Sequence, residues 1–409
     1  MKLLNNPKHQ SLITLSAFLL AAVFGLLFPE PDSVFQVLGS VFVKLIKLAV
    51  VPIVFVAVFQ SILTLSENQK AAHTALLTLF AFIVSTAMAS VIGMLYANLI
   101  QPGNAVSSIS NAENVVSATA PSFTDFVLNL IPTNPFQSFV EGNTFHVIFI
   151  AVVLGLLVLF SDKSINISVM AFLNGANALI QKYIGAVMVI SPIGVFSLTY
   201  SAFSKFGSTM MGSLIKYLLC ILASVFTIYV LFFIIIAVTK KKKFGSYING
   251  LAKIWTVAAS TSSSAATLPV SIHTCDEIGI NSEVTRFVLP FGTTMNMSGA
   301  AQFIAVTFVF LAQINGTTFA INDYVLAVFL TTILVMATPG IPGGAMVPMI
   351  VLLDAFGIPS DLFALILGVY SMIDMLDTTL NVTGDVIVAS IVDEIINSTS
   401  AKKQGTRNN

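Results

Sequence analysis

Long apolar runs separated by short polar segments set the pattern of the chain. Between residues 101 and 143 the sequence is polar, rich in Ser and Asn and broken by prolines, which predicts an external loop with one short helix. Runs long enough to span a bilayer lie at about 11–28, 36–63, 73–100, 144–161, 168–200 and 212–239. This pattern predicts an all-α polytopic membrane protein.

The apolar pattern changes character in the C-terminal half. Residues 256–270 (TVAASTSSSAATLPV) are too polar for a lipid-facing helix, and residues 335–350 (VMATPGIPGGAMVPMI) carry three prolines and three glycines. Broken backbone at membrane depth is tolerated only where it is buried in protein or lines a cavity. Both stretches therefore predict the tips of re-entrant hairpins rather than loops outside the membrane.

Two parts of this half repeat one pattern. The sequence TTMNMSG at 293–299 matches TTLNVTG at 378–384, and each copy follows a hairpin, a proline and a GI-x-S turn. The shared order indicates internal duplication rather than chance similarity. A repeated broken hairpin with a polar-centred helix is typical of transporters that bind substrate and ions at the repeat interface.

An acidic stripe runs along the last apolar segment. Asp374, Asp377, Asn381 and Asp385 are spaced so that they share one face of a helix. A charged group inside a membrane helix costs roughly 2.5 to 3.5 kcal/mol on insertion scales, so this face must line a polar cavity. The spacing therefore predicts a binding site.

The groups around this stripe suit an amino acid and a cation. Asp374 can bind a substrate ammonium, while Asn381 and the amides at the 262–265 tip can bind its carboxylate. Sodium prefers oxygen ligands, which carbonyls near Gly292 and Asn296, the Asn381 amide and the Asp385 carboxylate can supply.

Composition and charge narrow the class of protein. The chain of 409 residues is 56% hydrophobic and 9% charged, far from the composition of a soluble domain. Cytoplasmic termini are predicted by the basic residues that lie between or beyond the apolar runs, which are Lys2, Lys8, Lys70, Lys163, Lys240 to Lys243, Lys402, Lys403 and Arg407. No metal-type Cys or His spacing, phosphate-binding loop or nucleophile elbow occurs, so the sequence predicts neither an enzyme nor a built-in energy source.

Through the segments 261–269, 292–299, 340–344 and 381–385, the sequence resembles the dicarboxylate/amino acid:cation symporters, which include glutamate and neutral amino-acid transporters. The resemblance covers nearly the whole chain. It implies a homotrimer whose protomers have eight membrane helices and two re-entrant hairpins in inverted repeats, with an elevator-type movement. It implies a scaffold formed by residues 1–72 (helices 1 and 2) and 101–211 (the external loop and helices 4 and 5). It implies a transport domain formed by residues 73–100 (helix 3) and 212–396 (helices 6 to 8 with both hairpins). Residues 397–409 would be a cytoplasmic tail.

The same resemblance implies the site residues. Those for substrate are Ser262, Ser263, Ser264, Met297, Ala300, Ile341, Pro342, Gly343, Asp374, Asp377, Thr378 and Asn381, with the 340–344 tip as the extracellular gate. Those for sodium are Gly292, Asn296, Asn381 and Asp385 in one site, and Thr294, Met297, Val335, Met336 and Thr338 in a second. A third sodium site at Phe82, Ser85, Thr86 and Ser298 is doubtful, because the family has an aspartate where this chain has Ser298 and a tyrosine where it has Phe82.

Departures from the family pattern bear on the substrate. Acidic-substrate members carry an arginine where this chain has Asp377, and Ala300 replaces a threonine, so we expect dicarboxylates to be rejected. The stretches DMLDTTLN and NMSGAA are similar to the bacterial sodium:serine/threonine symporters. We therefore predict a sodium-coupled symporter that imports small neutral polar amino acids by alternating access across a bacterial plasma membrane.

Two alternatives stay open at this point. Asp377 could pair with the cationic side chain of a basic amino acid, in a carrier driven by sodium or protons. More remotely, the acidic stripe could line a cation channel, although two broken hairpins suit alternating gates better than a continuous pore.

Overall fold

A computed structural model describes residues 7–28, 33–64, 72–106, 131–240, 243–336, 338 and 340–405. Within these residues the chain is helical and contains no strand. The helices are α1 (Pro7–Leu27), α2 (Ser33–Thr64), α3 (Ala72–Ile100), α4 (Pro135–Glu141), α5 (Thr144–Leu159), α6 (Lys163–Val189), α7 (Ser191–Thr239), α8 (Phe244–Thr261), α9 (Ser264–Ile278), α10 (Ser282–Met295), α11 (Ser298–Ile314), α12 (Ile321–Met336), α13 (Met346–Ala355), a 3-10 helix (Ser360–Leu365) and α14 (Leu367–Gly405). The all-α prediction is confirmed.

The first helical hairpin consists of α8 and α9, which meet at a tip of two residues. Ser262 lies in the left-handed region (φ 48°, ψ 34°), which is uncommon for a residue other than glycine. Ser263 follows in an extended conformation and caps α9, because its Oγ accepts a hydrogen bond from the Ala266 N–H at 3.2 Å. The polar run of serines thus forms a tight turn, as the sequence predicted.

The second helical hairpin consists of α12 and α13 and has a longer tip. Its described tip residues are 338 and 340–345, while 337 and 339 lie outside the described residues. Gly343 has φ +81°, a conformation that residues with a Cβ adopt only with strain. The glycines of this stretch therefore permit a turn that other residues would resist.

The two copies of the repeated motif differ in backbone. In the first copy the helix stops at Met295 and restarts at Ser298, so Asn296 and Met297 are unwound. In the second copy α14 continues without a break from Leu367 past Asp385. The single helix predicted for the acidic stripe is thus confirmed.

The helices of the two hairpins pack around α14 and α11, and α11 is buried along nearly its whole length. On the other side α1 and α2 pack against α7. A bend at Gly207 (φ 56°, ψ −142°) divides α7 into two helices, so the second part begins five residues before the predicted position 212.

Four described helical segments are long and apolar enough to cross a bilayer: Val34–Gln60, Thr74–Ile100, Gly207–Thr239 and Ser282–Ile314, the last of which consists of α10 and α11. A fifth span is added if the pair Lys163–Val189 and Ser191–Lys205, bent by 55°, counts as one. The predicted count of eight spans and the elevator movement stay predictions. In the predicted external loop, α4 is the expected short helix, and residues 107–130 lie outside the described residues.

Candidate functional site

A small cavity lies where both hairpin tips meet α11 and α14. Its volume is about 20 Å³, which is room for about one water molecule. It is lined by Ser262, Ser264, Met297, Ala300, Thr338, Gly340, Ile341, Gly344, Ala345, Asp374, Asp377, Thr378 and Asn381. Nine of the twelve predicted substrate residues are in this lining, and no Lys, Arg or His of the described chain is.

The tips of the two hairpins are joined by hydrogen bonds. The Ser263 Oγ donates to the Gly340 carbonyl at 2.7 Å, and the Ala265 N–H donates to the same carbonyl at 3.2 Å. A Cβ on Gly340 would meet the Thr293 carbonyl oxygen and the Ser264 side chain. Because only glycine allows this approach, the Gly340 backbone reaches the serine tip.

Asp374 is tied to the second hairpin. Its Oδ2 accepts from the Gly343 N–H at 3.1 Å, and its Oδ1 accepts from the Tyr370 hydroxyl at 3.2 Å. Sequence reasoning missed Tyr370, although its position one helical turn before Asp374 on the same face could have identified it. The carboxylate is 9% exposed and can bind an ammonium group within this cavity.

Asp377 differs from its neighbour. It is 2% exposed, and neither of its carboxylate oxygens has a hydrogen-bond partner among the described residues. The main chain of Asp377 is so close to Gly299 that a Cβ there would overlap it. An unpaired buried carboxylate is costly, so a group that lines a cavity in this way is a candidate acceptor for donors on a ligand.

The first predicted sodium site is brought together by the two motif copies. The Asn296 Nδ2 donates to the Asp385 Oδ1 at 2.9 Å, and the Gly299 N–H donates to the Asn381 Oδ1 at 2.7 Å. A Cβ on Gly292 would meet the Asp385 carboxylate, so glycine leaves room for that group. The donor set of one carboxylate, amide oxygens and unwound carbonyls suits a hard monovalent cation.

The second predicted set lies around the end of α12. Met297 and Thr338 line the small cavity, and Val335 and Met336 form the last turn of α12, where carbonyl groups attract cations. Thr294 is in the last turn of α10, which packs against α12. The two helices that carry these residues are therefore in contact, and Met297 and Thr338 share one cavity.

The residues of the doubtful third sodium site form hydrogen bonds but include no carboxylate. Ser85 Oγ and Ser298 Oγ are 2.7 Å apart, and Ser298 Oγ donates to the Asn296 Oδ1 at 3.3 Å. The Thr86 hydroxyl donates to the Phe82 carbonyl at 2.8 Å. Ser85 and Ser298 pair with each other, Thr86 bonds to backbone carbonyls, and none of these groups offers a charge to neutralise an ion.

A larger cavity of about 310 Å³ lies beside the small one. Ser262, Ile341 and Asp374 line both cavities, while Pro342 and Gly343 line only the larger one. Its far wall is formed by α1, α2, α6 and α7. The predicted substrate residues therefore face the boundary between the hairpin tips and these four helices.

Comparisons with known proteins agree with this architecture. The model of the sodium:dicarboxylate symporter family matches residues 11–395. A proton/sodium-glutamate symport protein of Geobacillus stearothermophilus is 28% identical over 391 residues, which are 92% of this chain and 92% of the relative. The C4-dicarboxylate transport protein 1 of Mesorhizobium japonicum is 27% identical over 389 residues, 92% of this chain and 81% of the relative. The chain therefore belongs to the sodium:dicarboxylate symporter family and is a cation-coupled membrane symporter.

Proposed function

We propose that this symporter imports small neutral polar amino acids of the serine and threonine type, driven by sodium. In this proposal Asp374 binds the substrate ammonium, and Asn381 with the serine tip binds the carboxylate. Asp377 accepts a hydrogen bond from the side-chain hydroxyl. Serine has one group for each of these three positions. Because each position binds a different group, only one orientation of serine satisfies all three.

The observation that carries this proposal is the environment of Asp377. Its carboxylate is buried, borders the small cavity and lacks a partner among the described residues. A substrate hydroxyl would supply the missing donor. A hydrogen bond from a neutral donor to a charged acceptor contributes about 1.5 to 3 kcal/mol, which is enough to favour serine over alanine by about tenfold or more.

The relatives named above are described as glutamate or C4-dicarboxylate transporters, and we propose a different substrate for this chain. A second substrate carboxylate would need a positive partner. No basic residue lines either cavity in the described part of the chain, and Asp377 would repel the added charge. We therefore infer that glutamate, aspartate and C4-dicarboxylates bind poorly.

A basic amino acid is the second candidate, because a side-chain ammonium could also pair with Asp377. The small cavity does not distinguish the two classes, because about 20 Å³ holds one water molecule and the hairpin tips must separate for either substrate. The stretches DMLDTTLN and NMSGAA are similar to those of the serine/threonine symporters. We therefore rank serine and threonine above lysine, ornithine and arginine.

Coupling in this proposal uses the two sodium sites described above. Sodium at Asp385 and at the end of α12 would favour the closed second hairpin, which also encloses the substrate, so neither crosses efficiently alone. The uncharged Ser85 and Ser298 pair supports a carrier with fewer coupled ions than acidic-substrate members. A sodium stoichiometry, measured from reversal potentials, equal to that of those members would contradict this.

The remaining features of the proposal follow from the family resemblance. We propose a homotrimer in a bacterial plasma membrane, with cytoplasmic termini and an elevator movement of residues 73–100 and 212–396 against a scaffold of 1–72 and 101–211.

The test is uptake of labelled serine into proteoliposomes under an inward sodium gradient, with serine, threonine, lysine, arginine and glutamate as competitors. We expect unlabelled serine and threonine to inhibit and the other three to have little effect. Inhibition by lysine or arginine would move the substrate class to basic amino acids. Inhibition by glutamate alone would refute the proposed role of Asp377.

A further inference from the structure

We infer that two aromatic side chains of the first hairpin, Tyr247 and Trp255, fix the position of its serine tip along α14 and thereby set the affinity of the site for an amino acid. Both residues lie on α8, and both are hydrogen-bonded to hydroxyl groups of α14. We call these two hydrogen bonds the aromatic rungs. Neither residue is among those that line the small cavity, so both act as positioning residues. The effect on amino-acid affinity rests on the proposed function.

The rung nearer the tip joins Trp255 to Thr383. The Trp255 indole N–H donates to the Thr383 Oγ1 at 2.8 Å, and the Thr383 hydroxyl donates its own hydrogen to the Thr379 carbonyl at 2.7 Å. Because that hydrogen is already used, Trp255 is the donor and Thr383 the acceptor. An indole N–H inside a protein requires such a partner, so the ring is held at this position of α14.

The rung farther from the tip joins Tyr247 to Ser390. The two hydroxyl oxygens are 2.9 Å apart, and the side chains are 2% and 3% exposed. A slip of α8 along α14 would leave these buried hydroxyl groups without partners, which is costly. The two rungs therefore hold the helices in one register.

The spacing of the rungs gives the direction and the match of the two helices. Tyr247 precedes Trp255 by eight residues on α8, and Ser390 follows Thr383 by seven residues on α14. The helices therefore run antiparallel in this region. Because each residue of a helix rises by about 1.5 Å, the two rungs lie at nearly equal separations along both helices.

The same register reaches the binding site. Seven residues beyond Trp255 lies Ser262 at the tip, and seven residues before Thr383 lies Leu376, in the turn of α14 between the two aspartates of the small cavity. Ser262 and Ser264 line this cavity together with those aspartates. The rungs thus bring the serine tip to the level of the aspartates.

A fixed register matters because the proposed site is divided between these two elements. In the proposed function the tip of the first hairpin binds the substrate carboxylate with Asn381, and Asp374 binds the ammonium. The separation of these groups has to match that of the charged ends of an amino acid. Binding groups are effective only when their support holds them within a fraction of an ångström, so loss of the nearer rung should weaken binding.

Two variants remove one hydrogen bond each from the same pair of helices. Trp255→Phe removes the rung nearer the tip, and Tyr247→Phe, the matched control, removes the rung farther from it. Purified protein is unfolded by heat in detergent at increasing serine concentrations. The midpoint without serine reports stability, and its rise with serine gives an apparent Kd. Thr383→Val removes the nearer rung from the side of α14 and serves if Trp255→Phe does not fold.

We expect Trp255→Phe and Thr383→Val to raise the apparent Kd for serine about fivefold, within the range for one hydrogen bond, and Tyr247→Phe to leave it within about twofold of the parent value. Tyr247→Phe should lower the midpoint without serine at least as much as Trp255→Phe, because Tyr247 is the more deeply buried. Changes in Kd that follow the loss of stability in all three variants would overturn the inference. An unchanged Kd in Trp255→Phe and Thr383→Val would also overturn it.

Failure of the proposed function would give a different result. The inference concerns the ammonium and carboxylate groups that all amino acids share, so any of the five amino acids of the uptake assay that raises the midpoint of the parent can replace serine. Protection by lysine and not by serine would contradict the proposed substrate, while the order of the variants would still decide the inference. Protection by none of the five would overturn both.

Discussion

Two stretches with one sequence pattern, TTMNMSG and TTLNVTG, take different backbone paths in this protein. The first is unwound at Asn296 and Met297, and the second is an uninterrupted part of α14. The difference is explained by where the Gly299 N–H donates. It binds the Asn381 side chain, which belongs to the second copy, in place of a helical carbonyl.

The comparison teaches that duplication here produced complementary halves. The first copy contributes unwound backbone, and the second contributes an amide side chain that pairs with it, because the Gly299 N–H donates to the Asn381 Oδ1. The hairpins differ in the same way. The first has a tip of two residues fixed by a serine cap, whereas the second has a longer glycine-rich tip held by Asp374. We therefore propose that the second hairpin moves more readily than the first.

The largest effect should come from removing the Asp374 charge from α14, one helical turn before the second copy. Asp374→Asn should lower kcat/KM for serine uptake about 100-fold or more, because a buried charged partner of the ammonium is lost. Asp393→Asn is the control, since Asp393 is also buried on α14 (6% exposed) but lies two turns beyond the site. Equal losses in both variants would show that the effect is structural.

Substitution by alanine should change stability differently at the two equivalent glycines of the motif copies, Gly299 and Gly384. A Cβ at Gly299 would overlap the main chain of Asp377, which cannot move aside, and overpacking costs about 1 to 3 kcal/mol. A Cβ at Gly384 would face side chains, with Asn296 Nδ2 at 2.9 Å, and alanine favours a helix by about 0.5 to 1 kcal/mol. Thermal unfolding in detergent should show a much lower midpoint for Gly299→Ala than for Gly384→Ala. Similar midpoints would remove the proposed asymmetry.

A smaller effect should appear where Gly292, just before the first copy, lies against Asp385, just after the second. Gly292→Ala places a Cβ against the Asp385 carboxylate without changing a polar group. We expect the sodium concentration for half-maximal uptake to rise about tenfold, as is usual when the support of a metal ligand is disturbed. Gly212→Ala on α7 is the control, because its Cβ would meet nothing within 4 Å. An unchanged sodium dependence in Gly292→Ala would argue against a cation at Asp385.

The smallest effect concerns an exposed ion pair between α8 and α9, at the end of the first hairpin away from its tip. Lys253 Nζ donates to Glu277 Oε2 at 2.7 Å, and this hydrogen bond and the positive charge lower the pKa of the Glu277 carboxyl below its ordinary value. A lowered folded-state pKa gives stability that is present above the unfolded pKa and lost as the pH falls through the folded pKa. Lys253→Gln should therefore lower the melting temperature slightly at neutral pH and not at acidic pH. Both side chains are exposed, so a large shift at neutral pH would contradict this assignment.

The sequence predicted the parts of the fold that follow from pattern. The hairpin at Ser262, the glycine-rich tip and the helical stripe from Asp374 to Asp385 were all located, because each breaks or follows a clear periodicity. The bend at Gly207 lies in the gap between the predicted runs 168–200 and 212–239, but the 55° bend between Val189 and Ser191 lies inside the first of these runs and was not predicted. Residue pairs such as Ser263 with Gly340 depend on tertiary packing and cannot be deduced from spacing.

The candidate site was predictable to a similar extent. Three residues of the stripe, Asp374, Asp377 and Asn381, do line one cavity with the serine tip, whereas Asp385 does not. The hydrogen bonds from the second hairpin and Tyr370 to Asp374 were not foreseen. Tyr370 was overlooked because an aromatic residue in an apolar helix is ordinarily part of the core. The sequence identified Asp377 as unusual for the family, and only the folded chain showed that its oxygens lack partners.

The most direct test of the central claim compares serine with alanine, which lacks the hydroxyl, as inhibitors of uptake by the wild type and by Asp377→Leu. We predict that serine inhibits the wild type about 10- to 100-fold more strongly than alanine, the range for one hydrogen bond to a charged acceptor. In Asp377→Leu this ratio should fall towards one, because the acceptor is gone. A ratio that is the same in both proteins would contradict recognition of the substrate hydroxyl by Asp377.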